Sequence, residues 1–297
     1  MEKVLVLLAT YNGEKYLQEQ LDSLFAQEGV EVSVLARDDG SSDGTKDILR
    51  EYVERYPLSW YTGEHLNVQK GFYDLMKKAA KTEHLFFAFC DQDDVWDKDK
   101  LAIGIGAIRK RHGPALYYCG QKLVDEQRRL IATHELNRNR SLQTRFVLSD
   151  FAGCTGVFNR ALLDETVVFE PEYMMMHDTW VLKVCLCLGG EVIVDPTPHL
   201  DYRQHGGNTL GLGRSLPAYC RQVEQYLNVY QVERQIRELY RGYGDRMVSP
   251  YKEMCLWICG YRENKEFRRK LLDRKNVDFC STGLNLTYRL KVALNKL

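Results

Sequence analysis

The sequence predicts an α/β domain of the doubly wound kind, followed by a basic helical region. Three observations carry that expectation. Short β-rich runs alternate with apolar residues at helical spacing through the first half of the chain. Three of those runs stop abruptly at polar clusters: Thr10 to Asn12, Asp38-Asp39, and Asp91 to Asp94. From Leu216 onward the pattern is helical, basic and rich in tyrosine. A chain of 297 residues has room for one large domain and a smaller appendage. The expected division is 1–213 and 214–297.

Lys3–Ala9 reads as a buried strand, and Leu17, Leu21, Leu24 and Phe25 then recur at helical spacing. Val30–Ala36 is the second strand, closed by the turn-rich run Asp38–Thr45. A helix with Ile48, Leu49, Tyr52, Val53 and Tyr56 inward leads to a short strand, Leu58–Tyr61. Phe72, Leu75, Met76, Ala79 and Ala80 define a third helix, and His84–Cys90 is an apolar strand that ends at Asp91. In open α/β sheets ligands collect at the carboxyl ends of strands, so the three polar clusters mark the candidate site. Past residue 115 the order loosens. Ala115–Cys119 is a strand, Asp125–Arg145 is polar enough for a long loop, and Gly153–Gly156 interrupts an apolar stretch. Asp178 opens a helix with Trp180, Val181, Val184, Cys185 and Leu188 on one face, closed by Gly189-Gly190. Glu191–Asp195 is a strand, and Leu200–Asn208 leads into the glycine-rich Gly206–Gly213. No internal repeat is present.

Composition is that of an ordinary globular protein, 44% hydrophobic and 28% charged. The longest apolar stretches, Val4–Ala9 and Leu85–Cys90, are too short to cross a bilayer. No export signal opens the sequence. Nine cysteines form no regular framework. The close pairs, Cys185 with Cys187 and Cys255 with Cys259, lack the partners of a zinc site. Buried reduced thiols and a cytoplasmic location are expected. The net charge of zero hides a split. Arg214–Leu297 carries 17 Lys/Arg against 9 Asp/Glu, which leaves 24 against 32 in the first 213 residues. Regions so divided face different partners, and an acidic half of this kind would repel a nucleic-acid backbone.

The strongest chemical feature is Phe89–Trp96, which reads Phe-Cys-Asp-Gln-Asp-Asp-Val-Trp. Three carboxylates in four residues repel one another unless a cation or a proton relieves them. Hard divalent ions such as Mg²⁺ or Mn²⁺ take such oxygen ligands together with substrate phosphates. The opposing reading is a solvated acidic turn, and position at a strand end weighs against it. Asp39 at the end of the second strand can accept from a ribose hydroxyl or a base N–H, and Tyr11 offers a stacking surface. Ser41, Ser42 and Asp43 read as helix caps. No Gly-x-Gly-x-x-Gly follows the first strand and no Gly-x-x-x-x-Gly-Lys-Ser/Thr occurs, so dinucleotide and P-loop readings lose support.

The order Ala-Thr-Tyr-Asn-Gly-Glu-Lys-Tyr-Leu at 9–17, Arg-Asp-Asp-Gly-Ser-Ser-Asp-Gly-Thr at 37–45 and Asp-Gln-Asp-Asp-Val-Trp at 91–96 resembles family 2 glycosyltransferases of the GT-A fold. Its span is about Val4 to Gly213. The stretch Tyr202–Asn208 is similar to the bacterial rhamnosyltransferase branch. The resemblance implies a mixed sheet flanked by helices, a nucleotide-sugar donor (dTDP- or UDP-linked, rhamnose preferred), a divalent metal, and inversion at the anomeric carbon by direct displacement. It implies a nucleotide-facing set of Thr10, Tyr11, Asn12, Asp39, Asn67, Lys70, Gly71 and Asp91. Asp93 is the first choice for the metal, with Asp91 and His205 completing it and Asp94 able to share either role. The family's catalytic base is an aspartate at the start of a later helix, usually after Glu. Here His177 precedes Asp178 instead, and Asp178 is assigned as base. A carboxylate of this kind takes the proton of an attacking sugar hydroxyl. Arg203 is a candidate for the diphosphate, and Trp180 and Gly153 for the diphosphate or acceptor side.

A glycan or lipid-linked acceptor in cell-surface polysaccharide synthesis follows from the same resemblance. The basic tail, with clusters Arg268–Lys270 and Arg274-Lys275, has three readings: a solvated helical surface, an oligomerisation element, or a contact with anionic lipid headgroups. Two rival functions stand beside transfer. A nucleotidyltransferase would usually need a glycine-rich phosphate loop after the first strand. A non-catalytic glycan- or nucleotide-binding module would keep the fold without turnover.

Overall fold

The computed structural model describes residues 1–205 and 231–297. The glycine-rich run from Gly206, and the expected boundary after Gly213, lie outside the described residues. Apolar residues continuous along β1 (Glu2–Thr10) make it a strand buried on both faces. Val4, Val6 and Leu8 point into one core and Leu5 and Leu7 into another. β1 pairs in parallel with β2 (Val30–Asp38) on one side and β4 (Phe86–Cys90) on the other. β3 (Leu58–Thr62) extends the sheet beyond β2. Between these strands run α1 (Leu17–Phe25), α2 (Thr45–Val53) and α3 (Val68–Ala79). Leu21 and Leu49 cover one face of the sheet, while Phe72, Leu75 and Met76 cover the opposite one.

The second half completes a mixed sheet in the order β3-β2-β1-β4-β8-β6-β9-β5. After the two-residue β5 (Val95–Trp96) and α4 (Lys100–Ile108) comes β6 (Ala115–Val124). β8 (Gly156–Asn159) lies antiparallel between β4 and β6. β9 (Glu191–Arg203) runs parallel to β6 and carries β5 near its end. Strand order reverses about β1 and β4, so their carboxyl ends form the crevice expected to hold a ligand.

Three sequence expectations change. Asp125–Arg145 is not one loop: Leu130–His134 forms β7, paired with β6, and Leu142–Val147 forms α5. A turn with Arg128 at φ 62° joins β6 to β7. Glu191 to Arg203 is one strand, with irregular register near Gly120, rather than a strand and a separate successor. The helix expected at Asp178 begins one residue earlier, so α7 is His177–Cys187 and its cap position is Met176. α6 (Arg160–Val167) precedes it, its Asn159 cap accepting from Leu162 N.

Four helices follow the undescribed segment: α8 (Val232–Tyr243), α9 (Tyr251–Gly260), α10 (Lys265–Leu272) and α11 (Thr282–Ala293). Val232, Ile236, Tyr243, Met254 and Ile258 join the core formed by Trp180, Phe72 and Phe158. No helix among the described residues is long and apolar enough to cross a membrane.

Candidate active site

The floor of the crevice is a set of loops tied together by side chains. Thr10 Oγ1 and Tyr11 N both donate to Gln92 Oε1, at 2.7 and 2.9 Å, and Gln92 Nε2 donates to Tyr11 O at 3.2 Å. Gln92 thereby fastens the end of β1 to the acidic motif. Gly13 permits that approach, because a Cβ there would lie 2.3 Å from Gln92 Oε1. Asn12 takes a left-handed φ of 47°. Its N–H donates to Ser41 Oγ and its Oδ1 accepts from Ser42 N, both at 2.9 Å. The two serines therefore join loop to loop rather than cap α2. Asp43 does receive Thr45 N at 3.0 Å, and it also receives Glu14 N at 3.1 Å.

One wall gathers most of the residues expected to face the nucleotide. Tyr11 is 47% exposed, and its ring lies 4.9 Å from that of His65. His65 Nδ1 is 3.2 Å from Asp39 O. The Asp39 carboxylate sits 2.7 Å from Arg37 Nε, and burial raises its pKa more than the guanidinium lowers it. Asp38, by contrast, is wholly buried and accepts from Gly40 and Ser41 N–H groups. Of this adjacent pair, then, Asp39 is the one that keeps exposure. Asn67 caps α3, accepting from Lys70 N at 3.0 Å, and Lys70 is exposed. A Cβ on Gly71 would stand 3.5 Å from Asp39 Oδ2, so glycine keeps the space beside that carboxylate open.

Opposite this wall the acidic groups converge. His205 Nε2 lies 2.6 Å from Asp93 Oδ2, which joins two residues 112 positions apart that were expected to share a metal. Asp91, Asp94 and the Cys154 thiol place ligand atoms within 4.8 Å of one another. Asp94 is buried at the bottom, with Oδ1 receiving Arg203 N at 3.3 Å and the Cys154 thiol close by. Burial, then the charge of neighbouring aspartates, raises the pKa of both Asp91 and Asp94. Asp91 beside Asp94, and Asp93 paired with His205, offer carboxylate and imidazole atoms of the kind that a divalent ion takes. Burial and the adjacent carboxylates raise the Cys154 pKa as well. The residues fit Mg²⁺ or Mn²⁺.

Asp178 closes the arrangement from the first turn of α7. It is 7% exposed, and its Oδ2 accepts from Gly153 N at 3.0 Å while Oδ1 accepts from Thr179 N. Burial pushes its pKa up to about 6, tempered by those backbone hydrogen bonds. Its negative charge is one of those that raise Asp91, so the two carboxylates feel each other across the crevice. Gly153 is shaped to this contact. A Cβ there would lie 2.6 Å from His177 Nε2. His177 itself is buried, stacked on Phe72 at 3.9 Å and edge-on to Phe89 at 4.7 Å. With both ring nitrogens lacking a partner among the described residues, burial lowers its pKa to about 3. The residue standing where the family usually has Glu is thus a neutral packing group.

Two expected contacts are corrected. Trp180 is completely buried, packed against Phe169 and Tyr243, and presents no surface to diphosphate or acceptor. Arg203 is 3% exposed. Its Nε donates to Asp93 O at 2.9 Å, and its other nitrogens reach Glu126 O and the Glu19 carboxylate. It fixes the backbone of the acidic motif instead of reaching for phosphate. Three residues were missed: His65, Gln92 and Lys100. Lys100 is buried with Nζ 3.3 Å from the centre of the Trp96 ring, and its ammonium and the Asp94 carboxylate feel each other's charge. The sole sequence hint was a lysine four residues after Trp96.

The model of glycosyl transferase family 2 matches residues 5–167. The dTDP-rhamnosyl transferase RfbG of Shigella flexneri is 28% identical over 229 residues, covering 71% of this chain and 76% of its own length. Among solved structures, S. aureus TarS in complex with UDP-GlcNAc superposes with a TM-score of 0.61 at 19% identity, over 98% of this chain and 81% of that one. The mannosyltransferase PcManGT from Pyrobaculum calidifontis, in complex with GDP-Man and Mn²⁺, gives 0.56 at 15% identity, over 99% and 86%. At such identity the structural likeness is one of fold.

Proposed function

This chain belongs to glycosyl transferase family 2 and has the GT-A fold, and on that premise we propose that it is an inverting, divalent-metal-dependent enzyme of cell-surface polysaccharide synthesis. Rhamnose from a thymidine diphosphate donor is the preferred sugar, and a glycan, free or lipid-linked, is the acceptor. The likeness to the Shigella flexneri rhamnosyl transferase supports the donor. The observation that carries the reaction is the placement of Asp178, buried on the first turn of α7 and within electrostatic reach of Asp91.

Tyr11 and Asp39 would hold the base and ribose, by stacking and by accepting a hydroxyl or N–H. Asp91, Asp93 and His205 would hold the cation, which when bound supplies Lewis acidity to the leaving diphosphate. Asp178 orients the acceptor hydroxyl and accepts its proton as the new C–O bond forms. Its two backbone hydrogen bonds fix the carboxylate before substrate arrives. Direct attack from the face opposite the leaving group inverts the anomeric centre.

Incubation with dTDP-rhamnose and, in parallel, UDP-linked hexoses, each with Mn²⁺ or Mg²⁺ and a glycan acceptor, tests this reading. The expected result is metal-dependent transfer from dTDP-rhamnose, with the product opposite in anomeric configuration to the donor. Transfer from a UDP-sugar alone would overturn the donor choice, and retention would overturn direct displacement. Nucleotide binding without transfer or release of sugar, across donors and acceptors, would favour a binding module.

A further inference from the structure

α11 turns polar side chains inward and leucines outward. Asn285, Tyr288, Lys291 and Val292 are buried, whereas Leu286, Leu290 and Leu294 are 69, 49 and 54% exposed. The three leucines recur every four residues, so they line one face of the helix and its final turn. A helix on a globular surface normally reserves that face for charge. A single exposed leucine needs no explanation, but a register of three marks an interaction surface.

The surroundings are basic. Arg262–Leu297 contains ten Lys/Arg and four Asp/Glu. α10 lies beside α11, with Arg268 donating to Asn295 Oδ1 at 2.6 Å and Arg289 to Leu272 O at 3.3 Å. Arg269, Lys275, Arg289 and Lys296 are exposed at this end of the molecule. A second copy meeting the leucines through a two-fold axis would bring two positive rims together. An anionic lipid surface satisfies both features, since it offers an apolar boundary for leucine beneath phosphates for the cations.

We propose that this face of α11 seats on an anionic bilayer, with Leu286, Leu290 and Leu294 at the acyl boundary and Arg269, Lys275, Arg289 and Lys296 among the headgroups. The proposal does not rest on the sugar-transfer reading, because none of these residues belongs to the crevice.

The test is co-sedimentation of the full chain with vesicles of phosphatidylcholine alone, or of equal parts phosphatidylcholine and phosphatidylglycerol. Binding is expected to the anionic vesicles only, and to weaken as salt is raised. Leu286→Ser with Leu290→Ser should lower the partition coefficient about tenfold while the melting temperature stays at the wild-type value. Should that pair lower the melting temperature, Arg289→Gln with Lys296→Gln leaves the leucines in place and should still weaken binding and flatten its salt dependence. Equal binding to both vesicles, binding to neither, or binding indifferent to both pairs of substitutions overturns the proposal. So does a wild-type dimer that the leucine substitutions dissociate in the absence of vesicle binding, which would make the face a self-association surface.

Discussion

Replacing Asp178 by asparagine separates catalysis from stability, because the two effects have opposite signs. The carboxylate is buried, and its pKa is raised from 3.8 to about 6. In the folded protein ionisation is therefore disfavoured by roughly 3 kcal/mol relative to the unfolded chain. That penalty is absent below the unfolded pKa, grows as pH rises from about 4 to 6, and is present in full above. Asparagine removes the charge and hence the penalty. It also has one oxygen where aspartate has two, so either Gly153 N or Thr179 N loses its acceptor, at a cost of about 1–3 kcal/mol. The two terms nearly cancel at neutral pH, and the melting temperature should hold or rise. At pH 4 the cancelling gain is gone, and the variant should melt below wild type. Activity behaves differently. A missing general base costs about a hundred- to ten-thousand-fold in turnover. Wild-type kcat should fall about tenfold per pH unit below 6, and the residual rate of the variant should lack that acid limb. Stopped-time transfer assays across about pH 4.5–8, with thermal melts carried down to about pH 4, measure both. Undiminished kcat in the variant, or an acid limb that survives the substitution, refutes the assignment of Asp178 as base.

Three further substitutions probe the surrounding structure. Tyr11→Ala removes the exposed ring above the end of β1 and should weaken nucleotide affinity about tenfold, consistent with one lost base–aromatic stack, with calorimetry reading the change. Gly153→Ala places a Cβ 2.6 Å from His177 Nε2. It should lower stability by about 1–3 kcal/mol and depress kcat more than KM, because the same peptide N–H orients Asp178. Trp180→Ala empties a fully buried site and should cost about 3–5 kcal/mol in denaturant unfolding, while the KM of the folded fraction for donor stays at the wild-type value. A donor KM raised by the Trp180 change at constant fold would reinstate it as a ligand contact.

The first half of the fold was legible because parallel strands buried on both faces appear as continuous apolar runs, each ending at a polar cluster. β7 was not. Its Leu130 and Ile131 point outward at 63 and 56% exposure and Ala132 is its one buried residue, so the strand shows no alternating apolar face. α5 was hidden for a different reason: it is six residues long and buries Thr144 and Arg145, the latter through its pairing with Tyr118 and Asp150. Trp180, expected on the diphosphate or acceptor side, stands two residues after Asp178. Residues two apart on a helix point to different sides, and every residue of α7 is buried, so no polar face existed to correct the error. Arg203 illustrates the converse. A charged residue at the end of a strand suggested phosphate, whereas partners at Glu19 and Asp93, 184 and 110 positions away, claim it. Gln92 and His65 act through contacts across 81 and 26 positions, which no local periodicity encodes.

The charge arrangement of the crevice has a consequence for the order of binding. Asp91, Asp93, Asp94 and Asp178 converge there. Of the nearby cations, Lys100 is buried beneath Trp96, and Arg203 is engaged by the Glu19 carboxylate. A nucleotide diphosphate brings more negative charge into this field. At about 6 Å from a single unpaired carboxylate, repulsion between unit charges amounts to roughly 3 kcal/mol at an effective dielectric constant near 20, more than a hundredfold in affinity. The proposed roles of Tyr11 and Asp39 at the base and ribose do not offset that term. On the proposed reading, the divalent cation is expected to enter before the diphosphate or with it. Titration of the nucleotide diphosphate into protein stripped with chelator should show affinity at least about a hundredfold weaker than in Mn²⁺, and the gap should shrink for the nucleoside, which carries no phosphate. Substituting His205→Ala should raise the Mn²⁺ concentration needed for half-maximal nucleotide binding while leaving nucleoside affinity unchanged. If diphosphate binds equally well with and without the cation, the acidic cluster is not the seat of the metal, and the repulsion must be relieved by protons on Asp91 and Asp94 instead.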